Sequence, residues 1–243
     1  AMAGIMAVYG LVVWLWHSAW FFPAQTFLLA LQRRWPLFNI GLSMGICIVM
    51  LLAFSELAWD TVFRHETEAI DGLFIWMVRY FASPSIDKVM IGFSSLGAGL
   101  LYALIVLSVL AFFTFKGHWR DAGALMLSFG GGLALNVLLK VFFERSRPEL
   151  AHVVEAAGYS FPSGHAMVSL CFYGMLAFLL MRRTPSLVAR ILVAALSVLL
   201  IGAIGLSRVY LGVHYPTDVA AGYAAGATWL AFCLSFYLAQ ERN

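Results

Sequence analysis

Apolar residues run along this chain in blocks too long and too uninterrupted to be one face of a soluble helix. Six stretches, approximately 37–59, 89–115, 121–140, 163–181, 187–206 and 217–238, each supply the roughly 20 residues that a helix needs to cross about 30 Å of hydrocarbon. Their order predicts an all-α polytopic membrane bundle with six core transmembrane helices. Between the first two, residues 66–84 mix Glu66, Glu68, Asp71 and Arg79 with Leu73, Phe74, Trp76 and Phe81. That mixture predicts a helix lying in the interface rather than crossing it.

The N-terminal stretch resists the six-span scheme. Residues 3–22 contain no charge and three Trp, and predict an additional membrane-associated helix ending at Pro23, then a short helix from Ala24 to Gln32. As a seventh span it puts the N-terminus outside; as an interfacial or re-entrant helix it leaves it inside. The expected organisation is therefore an N-terminal segment over 1–36 and a six-helix domain over 37–239. The opening Ala1-Met2-Ala3 reads as a tag remnant, and no secretory signal with a small-residue cleavage site is expected. No linker, charge run or low-complexity tract divides the chain. Gly130-Gly131-Gly132, and Gly97 with Gly99, lie within spans and predict close helix packing through small residues.

Composition agrees with a membrane protein: 63% of residues are hydrophobic and 11% charged, with a mean hydropathy of +0.90. A net charge of +3 is too small and too dispersed for nucleic acid. Cys47, Cys171 and Cys233 sit in apolar runs and read as packing residues rather than disulfide partners or metal ligands.

Once the spans alternate sides, one face collects eight basic residues against two acidic ones, and the other seven against ten. Three of those seven, Lys140, Arg147 and Arg208, belong to the motifs described next and are kept for chemistry whatever the topology. Without them the bias predicts that the first face is cytoplasmic. The motifs then lie on the opposite, extracytoplasmic side.

Three clusters hold the candidate chemistry: Lys140 with Arg147-Pro148, then Pro162-Ser163-Gly164-His165, then Ser207-Arg208 with His214 and Asp218. Cutting a phosphate ester requires cations and amides around the non-bridging oxygens, an in-line nucleophile and an acid for the leaving oxygen. The clusters supply one such set. Lys140 ends a span whose preceding turn carries Asn136, and Pro148 fixes the chain direction after Arg147, which suits bidentate phosphate contact. Lys140 has an equal reading as a snorkelling anchor, and Arg145 is read as one.

Pro162-Ser163-Gly164-His165 opens a helix, whose first amides and positive dipole end attract an anion, and Gly164 permits close approach. Ser163 has an alternative reading as a simple N-cap. His165 is an ionisable group in the first turn of a membrane helix, where such groups are costly and usually functional. Pro216 marks a helix start that places Asp218 in the opening turn, with His214 just ahead of it. A carboxylate beside one imidazole nitrogen fixes the tautomer and leaves the other free to attack. A structural cap and ion pair accounts for His214 and Asp218 alone, but not for three clusters at helix ends on one predicted face.

The strings K-x6-R-P, P-S-G-H and S-R-x5-H-x3-D resemble the three-part signature of the type 2 phosphatidic-acid phosphatase superfamily, which also includes bacterial acid phosphatases, vanadium haloperoxidases and glucose-6-phosphatase. Every invariant letter is present, over residues 140–218, and the six-span layout extends the likeness over about 37–238. The resemblance implies that His214 is the nucleophile that becomes a phosphohistidine and Asp218 its orienting partner. It implies that His165 protonates the leaving oxygen and later helps activate water. Lys140, Arg147, Arg208, Ser163 and the Gly164 amide are then the phosphate-binding set. It also implies metal-independent catalysis with no cofactor, in accord with carboxylates that are not clustered.

A site at helix ends facing the outer leaflet points to a lipid substrate, and the resemblance implies undecaprenyl pyrophosphate or another polyprenyl pyrophosphate, phosphatidylglycerol phosphate, phosphatidic acid or a lipid A phosphate. The connection from Glu149 to Ser160 is short and has no Lys or Arg, which favours a simple or elongated lipid over a glycolipid. The first choice is a broad lipid phosphatase whose substrates include polyprenyl pyrophosphate. The bilayer and its lipid are the only partners inferred, with no obligatory protein partner. A lipid-to-lipid phosphotransferase is the nearest alternative. A lipid transporter predicts polar residues at mid-span, which are nearly absent, and a vanadate-dependent oxidase conflicts with this composition.

Overall fold

The structure is a computed structural model and describes residues 38–148, 153–154 and 157–240. The helices are α1 (Phe38–Ala58), α2 (Glu68–Arg79), α3 (Pro84–Ser95), α4 (Gly99–Phe115), α5 (Trp119–Phe143), α6 (Gly164–Arg183), α7 (Leu187–Tyr210) and α8 (Pro216–Gln240). The described residues contain six helical segments long and apolar enough to cross a membrane: Ile40–Phe63, Pro84–Phe115, Trp119–Phe143, Gly164–Arg183, Leu187–Tyr210 and Pro216–Gln240. They are the six spans expected from hydropathy. The expected N-terminal segment over 1–36 lies outside the described residues. The chain divides into two compact units, 1–42 and 43–243, and all three motifs belong to the second.

The helices are inside out by soluble standards. Leu100, Phe115, Phe142 and Leu199 are among many large apolar side chains left exposed, because hydrocarbon rather than water solvates them. What is buried is the packing between helices. The most enclosed is α6, flanked by α5, α7 and α8, with Phe172, Met175 and Leu179 fully buried along it.

Small residues set the closeness of this packing, as expected, at Gly131 and Gly132, whereas a Cβ at Gly130 would meet only Met126 of its own helix, at 3.8 Å. A Cβ at Gly131 would stand 2.2 Å from the Trp229 ring of α8, and one at Gly132 would stand 2.7 Å from Cys171 Sγ of α6. On α8 the pair Gly222 and Gly226 brings the helix against the α6 backbone, 2.6 Å from Ser163 O and 2.9 Å from Met167 O when a Cβ is placed there. The start of α6 and the start of α8 are thereby pressed together.

Two expectations near the second span change. The interfacial helix closes at Arg79, and the span opens at Pro84, where Ser83 caps α3 by accepting from the Ile86 amide at 3.4 Å. The span is also broken between α3 and α4. Gly99 is there for its φ of +85° rather than for packing, whereas a Cβ at Gly97 would meet Ile204 at 2.5 Å and the His165 ring at 3.2 Å. The break lets the chain pass directly over His165.

Candidate active site

The C-terminus of α5, the N-termini of α6 and α8 and the C-terminus of α7 meet at one end of the bundle, so the three motifs converge. His214 lies between α7 and α8, and its Nδ1 is 3.4 Å from Asp218 Oδ2. Asp218, with no exposed surface, is saturated with donors. Its Oδ2 accepts from the Tyr215 amide at 2.9 Å and from the Ser160 hydroxyl, and its Oδ1 accepts from Arg145 Nη1 at 2.6 Å. Such a carboxylate stays ionised and holds the imidazole in place. Burial nonetheless lowers the His214 pKa to about 4, with Asp218 acting in the opposite direction, so the ring is neutral at neutral pH.

His165, in the first turn of α6, has Nε2 3.4 Å from Ser94 Oγ of α3. Ser94 also accepts from Arg208 Nη1 at 2.5 Å, which ties the second and third motifs through a residue from the broken span. His214, Lys140, Arg147 and Arg208 all fall within electrostatic range of His165.

Ser163 occupies the N-cap position of α6, but its side chain makes no capping bond. The capping reading of its hydroxyl is therefore incorrect: among the described residues Ser163 Oγ is buried without a hydrogen-bond partner, and so is Arg208 Nε. Unsatisfied buried polar atoms are costly and rare. Asn136 of α5 braces the loop by donating to Pro162 O at 3.3 Å, and its Oδ1 lies 2.8 Å from the Cβ position of Gly164.

Lys140 and Arg147 reach the same end but are bonded to protein carbonyls. Lys140 Nζ donates to Tyr159 O and, at 3.4 Å, to Ser160 O. Arg147 donates to Gly158, Val213, Ala157 and Tyr159 carbonyls at 2.9, 2.7, 2.9 and 3.3 Å. Burial lowers the Arg147 pKa, with Asp218 opposing. Both cations thus hold the segment carrying Ser160, and Arg147 also fastens it to Val213, beside His214.

Arg145 is not a snorkelling anchor. Its guanidinium bridges Asp218 and Asp71 Oδ2, the latter at 3.0 Å, donates to Thr217 Oγ1 at 2.9 Å, and stacks 4.0 Å from the Tyr215 ring. Asp71, on α2 and fully buried, also accepts from the Thr217 amide at 3.0 Å and hydroxyl at 2.6 Å. Asp71, Ser94, Arg145 and Ser160 are the site-associated residues that motif reading missed. Asp71 carried a usable signal, because a carboxylate on the apolar flank of a short amphipathic helix calls for a cation.

Comparison with known proteins places this geometry. Residues 121–242 match the PAP2 superfamily. The chain is 38% identical over 149 residues to phosphatidylglycerophosphatase B of Bacillus subtilis, covering 59% of this chain and 71% of that protein. It is 37% identical over 131 residues to decaprenylphosphoryl-5-phosphoribose phosphatase of Mycobacterium tuberculosis, covering 51% and 64%. The crystal structure of the first transmembrane PAP2 type phosphatidylglycerolphosphate phosphatase from Bacillus subtilis superposes with a TM-score of 0.73 at 30% identity, over 81% of this chain and 96% of that one. By motif, fold and sequence similarity alike, this chain belongs to the PAP2 superfamily.

Proposed function

We propose that this protein is an integral-membrane phosphatase that removes phosphate from a membrane lipid through a phosphohistidine at His214. The observation that carries this reading is the pair of buried, unpartnered donors, Ser163 Oγ and Arg208 Nε, among cations and beside an Asp-oriented imidazole. A phosphoryl group entering there satisfies both donors and takes further contacts from the first amides of α6.

In the first half-reaction the His214 Nε2 lone pair attacks phosphorus. The bond to the ester or pyrophosphate oxygen breaks, and protonated His165 gives its proton to that oxygen. Asp218 stabilises the positive charge that grows on the imidazole. In the second, water attacks the phosphohistidine, His165 takes the water's proton, and the N–P bond breaks to release inorganic phosphate with His214 restored. Lys140 and Arg147 contribute positive potential and hold the Ala157–Ser160 segment, and exchange a carbonyl for a phosphate oxygen when substrate binds.

The substrate we favour is a simple or elongated lipid phosphate, with phosphatidylglycerol phosphate first on the strength of the Bacillus relative and polyprenyl pyrophosphate and phosphatidic acid next. The excess of Lys and Arg at the other end of the bundle supports a catalytic end facing the extracytoplasmic side of an inner membrane.

The test is phosphate release by purified protein in detergent with EDTA, comparing phosphatidylglycerol phosphate, undecaprenyl pyrophosphate and phosphatidic acid. Release should persist in EDTA and vanish in His214→Ala. Turnover retained by that variant would remove His214 as nucleophile, and loss of activity to EDTA would overturn metal-independent chemistry.

A further inference from the structure

Ser94 lies outside the three motifs yet touches two of them. It stands in the last turn of α3 and is 7% exposed. Its Oγ is 2.5 Å from Arg208 Nη1 and 3.4 Å from His165 Nε2. The helix ends one residue later, and the turn that follows lays Gly97 over the same imidazole: a Cβ there would stand 3.2 Å from His165 Cδ2. The Ser94 carbonyl accepts from the Gly97 amide at 3.0 Å. Hydroxyl and turn therefore form one unit against the Cδ2–Nε2 edge of the ring.

A guanidinium only donates, so Arg208 takes one lone pair of Ser94 Oγ and leaves the hydroxyl hydrogen and the second lone pair. Both suit an imidazole nitrogen. Opposite a neutral ring the hydrogen points to the Nε2 lone pair; opposite a protonated ring the second lone pair receives Nε2–H. In either state Nε2 is engaged, and Nδ1, on the far side of the ring from the edge that the turn covers, is the nitrogen left to exchange a proton. At 3.4 Å the contact is long, as hydrogen bonds of catalytic groups often are before substrate tightens them.

We propose that Ser94 is a positioning residue for the leaving-group proton: it holds His165 Nε2 so that Nδ1 faces the departing oxygen. This rests on the phosphatase reading given above. As the bond from phosphorus to the leaving oxygen breaks, the Nδ1 proton passes to that oxygen, and the ring keeps its other proton on Nε2, bonded to Ser94. In the second half-reaction Nδ1 takes the proton of the attacking water. The bond from Arg208 fixes Ser94 in turn, so the acid and a phosphate-binding cation are placed by one hydroxyl.

Two esters that differ in their need for a proton test this. Dioctanoyl phosphatidic acid expels an alkoxide, which must be protonated, whereas p-nitrophenyl phosphate expels a phenolate that leaves unaided. The quantity to compare is kcat/KM of the purified full chain, which covers the steps up to departure of the leaving group. Ser94→Ala should lower it about 10–100-fold for the lipid and less than about threefold for the aryl ester. His165→Ala should show the same skew, and adding Ser94→Ala to it should cost nothing further. Ser94→Cys, close to serine in size but a weak hydrogen-bonding group, should be skewed in the same direction, which keeps the proposal testable if the alanine variant does not fold. Equal losses on the two esters, or a further loss on the His165→Ala background, would overturn it and leave Ser94 serving Arg208 alone. His214→Ala should abolish release from both esters. Release retained by that variant would remove the phosphatase reading and this proposal with it, whereas an unskewed Ser94→Ala beside an inactive His214→Ala would sink this proposal alone.

Discussion

Each side chain at the catalytic end is defined by what holds it. Asp218 is held by Arg145, Ser160 and the Tyr215 amide, which suits the orienting role proposed for it beside His214. Asp218→Asn should therefore fold yet lose turnover on the order of 10³–10⁴-fold, measured as phosphate release, because the amide leaves the imidazole wrongly oriented. The state of the ring itself is accessible to NMR. Its ordinary pKa of 6.5 falls to about 4 in the folded protein, chiefly through burial. Between those values the unfolded chain takes up a proton that the folded chain refuses. The contribution of His214 to stability is thus complete above pH 6.5 and lost as pH falls to about 4. A ring titration in labelled protein should show a neutral imidazole down to about pH 4; a midpoint near 6.5 would contradict the burial described here.

At the scale of elements, α2 is more than a surface helix. Asp71 joins it to Arg145 beyond α5 and to Thr217 at the start of α8, so a helix too short to cross the membrane is fastened to the catalytic end by a buried ion network. Breaking one member leaves an uncompensated buried charge at a cost of about 3–5 kcal/mol. Arg145→Met should accordingly lower Tm and reduce activity, whereas Asp71→Asn/Arg145→Met, which also removes the orphaned Asp71 charge, should recover part of the Tm. A double variant no more stable than the single one would mean that the pair is not coupled. The role of α2 was hidden in the sequence because amphipathic patterning says which face is apolar, but not which distant cation a lone carboxylate meets.

Over the whole molecule, the three motifs gather where α5 and α7 end and α6 and α8 begin. If the catalytic end is extracytoplasmic as proposed, a cysteine at Tyr159 should react with an impermeant maleimide in intact cells, and one at Thr184, following α6, only after permeabilisation. The reverse pattern would invert the topology. The six spans, their order and the common face of the motifs were legible from sequence alone, because hydrocarbon selects about 20 apolar residues at a time and motif residues sit at fixed short spacings. The roles of Arg145, Asp71, Ser94 and Ser160, the failure of Ser163 to cap and the break over His165 were decided only by tertiary structure. Those features depend on helix rotation, loop path and contacts between residues as far apart as Ser94 and Arg208, and hydropathy, which averages over neighbours in the chain, carries no record of them.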